Sequence, residues 1–193
     1  SPGMTYYWRV RPRIQGDGTP LNWSPTWVFS VAGGEGAAPS ATTVPTATPT
    51  PAPPPVAFKA PNDPYYSSQW SLAKMNAQTA WGLGGGSPSM VVAVVDSGVD
   101  LGHPDLEGQL VPGFSCVGEG SSPQDDNGHG THVAGTIAAR VNDGIGVVGV
   151  AWGVRIMPVK VMDSSGSGAA SCIASGIRAA VDGGAKILNL SLG

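Results

Sequence analysis

The run Met90–Asp96, MVVAVVD, breaking off in Ser97-Gly98, constrains the fold more than any other feature of the chain. A half-exposed strand would alternate apolar and polar residues, and a buried helix would be longer, so this short unbroken apolar run predicts a strand covered on both faces. Strands of that kind lie in parallel sheets joined by crossover helices. Asp96 then falls at the strand's C-terminal end, the edge along which open α/β sheets build their sites.

Downstream segments agree. Ser71–Leu83, His129–Val141 and Ala170–Asp182 read as helices; Val154–Met162 and Lys186–Leu192 read as strands. Ile173, Ile177 and Val181 recur at helical spacing, and a short β run follows, the change of period that βαβ units require. Residues 58–193 thus predict an α/β fold, a parallel β-sheet with helices on both faces. Gly98, Gly128, Gly130 and Gly135 cluster where the backbone must turn or approach closely.

Ahead of this region, residues 33–57 are almost wholly Pro, Thr, Ala, Gly and Ser, and predict a semi-rigid linker that cannot bury enough apolar surface to order itself. In residues 1–32, Tyr6, Trp8 and Val10 alternate with Tyr7, Arg9 and Arg11, and Thr26–Val31 follows a turn-rich stretch, which is hairpin patterning. The phrases PGMTYYWRV and NWSPTWVFS resemble the last two strands of a fibronectin type III domain, with Tyr6 in the place of a tyrosine corner. The resemblance implies a β-hairpin remnant of a β-sandwich whose beginning lies outside this sequence.

Net charge is −3 and the ten Lys and Arg form no basic stripe, which argues against nucleic acid or an anionic membrane as partner. No apolar run approaches the ~20 residues that span a bilayer. Cys116 and Cys172 lack metal-ligand spacing; they read either as small core residues or as one incidental bridge.

The motifs carry more. Asp96-Ser97-Gly98 ends a strand, Asp126–Thr136 (DNGHGTHVAGT) opens a helix, and Ile187–Gly193 (ILNLSLG) follows in the same order as in the subtilisin-like serine peptidases, which this region resembles from about Phe58 onward. Pro61–Trp81 is similar to the thermitase branch of that family. The resemblance implies endopeptidase chemistry: His129 as general base and then acid, and Asp96 holding its Nδ1 and stabilising the imidazolium. His132, with no Glu between it and His129, is expected to be structural and hydrogen-bonded rather than a zinc ligand, and His103 in the HPDL turn structural as well.

Further expectations follow from the same resemblance. Polypeptide substrates would pair as an added strand with Gly166, Ser167 and Gly168 on one side and Ser191, Leu192 and Gly193 on the other. Ala169 and Ala170 would leave an open pocket. A structural Ca²⁺ would be held by Asp63, Asp105 and Asp143 side chains and the carbonyls of Arg140, Ile145 and Val147. The nucleophilic serine and the oxyanion-hole asparagine are expected beyond Gly193, so residues 1–193 alone are expected to be inactive. The parent is expected to be a secreted, monomeric enzyme; the competing reading is a non-catalytic extracellular binding protein with a degenerate peptidase homologue.

Overall fold

A computed structural model describes residues 57–118 and 122–192, together with the backbone of two earlier strands. These are β1 (Thr5–Trp8) and β2 (Trp27–Ser30), paired antiparallel with Thr5 opposite Ser30 and Trp8 opposite Trp27. The β-sandwich origin of the hairpin, the role of Tyr6, the linker up to residue 56 and Gly193 lie outside the described residues. The chain divides into two units, 1–50 and 51–193.

In the second unit, β3 (Val91–Asp96), β4 (Phe114–Ser115), β5 (Arg155–Lys160) and β6 (Ile187–Asn189) form one sheet in the order β4-β5-β3-β6, all neighbours parallel. Alternate residues of β3 serve opposite faces, as the unbroken apolar run requires. Val92 and Val94 pack with Ile156 and with Ala134 and Ala138 of α3 (His129–Ala138). Ala93 and Val95 pack with Met157, Val159 and Ala180 of α4 (Ala170–Asp182). The α4 helix lies close because residue 176 is glycine: a Cβ there would stand 2.5 Å from a Val161 methyl.

Besides trimmed ends at β3, β5 and β6, three elements differ from the sequence expectation. The segment Ser71–Leu83 is not one helix but two, α1 (Trp70–Lys74) and α2 (Ala77–Trp81), because Asn76 between them adopts φ +56°, a left-handed conformation that asparagine tolerates. Leu72, Ala77 and Trp81 bury themselves with Val148, and Phe58, Tyr66 and Trp152 pack around them. The α3 helix stops at Ala138 rather than Val141. Its last carbonyls are taken by the following loop, Val150 N–H to Thr136 O at 3.0 Å, Ala151 N–H to Ile137 O at 2.8 Å and Gly149 N–H to Ala139 O at 3.1 Å, and by Gln109 Nε2 at Ala138 O, 3.1 Å. The third difference is β4, two residues without periodicity to announce them.

The Cys116–Cys172 pair is a disulfide with Cα atoms 5.8 Å apart. It joins the chain just past β4 to the first turn of α4, settling the alternative that the sequence left open.

Candidate active site

Two segments meet at the C-terminal end of β3. Asp96 is fully buried at the strand end, and His129 opens α3 with a half-exposed imidazole. His129 Nδ1 and Asp96 Oδ1 are 2.7 Å apart. The contact depends on a backbone approach: a Cβ on Gly130 would lie 2.0 Å from the Gly98 carbonyl oxygen, and Gly98 itself has φ +106°. Such geometry leaves one imidazole nitrogen bound to a buried acceptor and the other face of the ring toward solvent. That is what a general base needs, since the acceptor fixes the tautomer and offsets the charge formed on protonation.

The loop following β5 stands next to this pair. Asp163 folds it, its Oδ1 accepting from Ser165 N–H (2.9 Å), Ser165 Oγ (2.6 Å) and Ser167 N–H (3.1 Å). Those hydrogen bonds hold the Asp163 carboxyl below its usual range. Asn127 links the loop to the histidine segment by donating from Nδ2 to Ser164 O at 3.0 Å and accepting His129 N–H at 3.2 Å.

Residues 87–193 match the subtilase family. The chain belongs to that family. Among curated relatives it is 48% identical to thermitase of Thermoactinomyces vulgaris over 134 residues, 69% of this chain and 48% of that protein. It is 44% identical to a thermophilic serine proteinase of Bacillus sp. strain AK1, over 69% of this chain and 33% of the relative, and 46% identical to subtilisin Savinase of Lederbergia lenta, over 66% and 46%. The chain thus spans half or less of the length of these subtilases.

Of the substrate-pairing residues read from the sequence, Gly166 has φ +79° and Gly168 turns its missing side chain inward. A Cβ on Gly168 would lie 2.4 Å from the Val161 carbonyl, so its glycine serves packing against β5. Ala169 and Ala170 are exposed, and Ser191 and Leu192 follow β6, with Ser191 Oγ bonded to Asn189 Oδ1 at 2.9 Å.

The three aspartates expected to bind metal share one arrangement. Asp63 Oδ2 accepts Asn142 N–H and Asp105 Oδ2 accepts Val147 N–H, both at 2.9 Å, and Asp143 Oδ1 accepts Ile145 N–H at 3.0 Å. Each carboxylate's other oxygen is buried without a hydrogen-bond partner. Burial pushes the Asp105 carboxyl up, and the charges of Asp143 and Asp63 push the same way. The Gly146 backbone comes so close that a Cβ there would meet Asp105 Oδ2 at 2.1 Å. The Asp63 and Asp105 oxygens have no partner and that of Asp143 faces only the Arg140 guanidinium, a set of hard oxygens that fits a divalent cation. Among the described residues no three acidic, imidazole or thiol side chains converge tightly enough to hold one alone, so main-chain carbonyls would have to complete the cage. Arg140 adds a side-chain role that was not expected: its guanidinium lies 3.4 Å from Asp143 Oδ2 and 3.1 Å from Glu107 Oε2.

The imidazole of His132 is exposed, and among the described residues it takes no hydrogen bond, contrary to the hydrogen-bonded role read from the sequence. His103 Nδ1 accepts Asp105 N–H at 3.2 Å. Sequence reasoning also passed over Asp125 and Lys160, and read Ser97 only as part of the turn that ends its strand. Lys160, buried at the end of β5, donates to Ser97 O at 2.6 Å and to Asp126 Oδ1 at 2.5 Å. The Asp125-Asp126 doublet just before a helix start was the available signal, since acidic residues there accept otherwise unpaired N–H groups.

Proposed function

We propose that the parent protein is a serine endopeptidase in which Asp96 and His129 are two members of the catalytic triad. The observation that carries this reading is the 2.7 Å contact between a buried carboxylate and the Nδ1 of a half-exposed imidazole. Asp96 holds the ring in the tautomer with Nε2 free; His129 takes the proton of the attacking hydroxyl and returns it to the leaving amine. Ser97 is not that nucleophile, because its hydroxyl donates to Asp125 Oδ1 at 2.8 Å and accepts Gly130 N–H at 3.0 Å. Polypeptide substrates pair with Gly166–Gly168 and Ser191–Gly193. The intact pair disfavours the reading as a degenerate binding protein, which has no chemical need for it. His129→Ala in the full-length enzyme is expected to lower casein hydrolysis by several orders of magnitude with an unchanged fold; hydrolysis at the original rate would overturn the reading.

Calcium is the metal proposed for the carboxylates of Asp63, Asp105 and Asp143, with carbonyls of Arg140, Ile145 and Val147. Bound there, it would supply positive charge to orphaned oxygens and tie the segment before α1 to the loop after α3. At calcium concentrations about 100 times Kd, stability should rise by about 2.7 kcal/mol over the EDTA-treated protein. Equal melting temperatures with and without calcium, and no heat on titration, would exclude it.

An extracellular, monomeric setting is proposed as well. The Cys116–Cys172 bond supports an oxidising compartment, and among the described residues no helix is long and apolar enough to cross a membrane. A curated relative, 50% identical over 105 residues, is a cell wall-associated protease of Bacillus subtilis strain 168.

A further inference from the structure

Ser97 and Thr131 stand on opposite sides of the junction between the β3 end and α3, and each is wired to the other side. The Ser97 hydroxyl accepts the Gly130 N–H of α3 at 3.0 Å, so its own proton is directed to Asp125 Oδ1, 2.8 Å away. Thr131 Oγ1 accepts the Asp100 N–H of the strand-end turn at 2.8 Å, so its proton goes to Asp125 Oδ2, 2.5 Å away. Two relays therefore cross the junction in opposite directions and end on the two oxygens of one carboxylate. Asp125 also accepts the N–H groups of Asn127 and Gly128, both at 3.0 Å, and of Thr131 at 2.9 Å. On the strand side the chain of bonds runs on into the pair itself, since Ser97 N–H donates to Asp96 Oδ1 at 2.7 Å.

We propose that Asp125 is a positioning residue for the Asp96–His129 pair, acting through Ser97 and Thr131 to hold the turn 96–100 against the first turn of α3. Only a carboxylate suits the place. Every neighbour is a donor, and asparagine would present an NH₂ group to one of them. Although burial raises the Asp125 carboxyl, the bonds from Thr131 and from the Gly128 and Asn127 N–H groups outweigh it, and the group stays far below its ordinary range.

The inference rests on Asp96 and His129 acting as a pair, and its test is arranged to stand apart from peptidase activity. The readout is the downfield proton resonance of His129 Nδ1 in the full-length protein, which reports the bond to Asp96 whether or not substrate is cleaved. Asp125→Asn is expected to broaden or abolish that resonance and to lower kcat about 10²-fold with KM within about twofold. Thr131→Val should weaken the resonance, and Thr131→Ser, which restores the hydroxyl, should recover it. Leu72→Ala, in the separate cluster around Trp81, should lower the melting temperature and leave the resonance in place. The proposal is overturned if Asp125→Asn keeps both resonance and kcat, if Thr131→Val and Thr131→Ser behave alike, or if Leu72→Ala removes the signal as well. Should Asp125→Asn fail to fold, the threonine pair alone decides. Absence of hydrolysis in the unsubstituted protein would refute the peptidase reading and leave the resonance comparison intact.

Discussion

Gly130 shows how much of this site is backbone fit. Any side chain there meets the Gly98 carbonyl at 2.0 Å and the Asp96 Cβ at 3.1 Å, and neither is the flexible end of a long residue. Gly130→Ala should therefore cost about 1–3 kcal/mol and displace His129 from Asp96, seen as a fall in both thermal stability and histidine reactivity toward an acylating probe. Asp125 contributes to the acid limb of stability. Its carboxyl titrates lower in the folded than in the unfolded chain, so the stability it contributes is complete above the unfolded value of 3.8 and is lost as pH falls below that value toward the folded one. Thermal unfolding at pH 5 and pH 3 should show a steep drop for the unsubstituted chain and a shallower one for Asp125→Asn. The close approach at Gly130 was legible in the sequence, but the role of Asp125 was not. Asp125 looks like any turn aspartate until its donors, arriving from two segments, are seen together.

Elements were legible in proportion to their periodicity. Ala170–Asp182 is the helix expected, residue for residue, and β3 differs by one residue at its start. Where tertiary contacts set the boundary, the sequence pattern ran on too far: α3 ends early because Gln109 and residues 149–151 take its carbonyls, and β6 covers only Ile187–Asn189 of the expected Lys186–Leu192. Short β4 carried no signal, nor did the disulfide beside it, since a pairing needs Cα proximity that sequence does not display. That bridge is the main covalent restraint on the β4–α4 packing. With its cysteines 56 positions apart in sequence, the chain-entropy account predicts that reduction costs about 4 kcal/mol; a melting temperature unmoved by reductant would contradict it.

For the molecule as a whole, the sheet buried on both faces was readable from Met90–Asp96 because no other packing accommodates such a run. The aspartates proposed to hold metal were picked out by resemblance, and their buried, unbonded oxygens emerge only in three dimensions. The disulfide also defines a closed ring, residues 116 to 172, with a topological asymmetry: His129 and the 163–168 loop lie inside the ring, and Asp96 lies outside it. Exposed turns inside the ring, such as that around residues 164–167, are the kind of place where a protease cuts. One cut anywhere in the ring leaves the two pieces covalently joined. A nicked chain should therefore migrate as a single species in denaturing electrophoresis without reductant and fall into two fragments with it, so a cut in the histidine segment would not release His129 from the piece that carries Asp96.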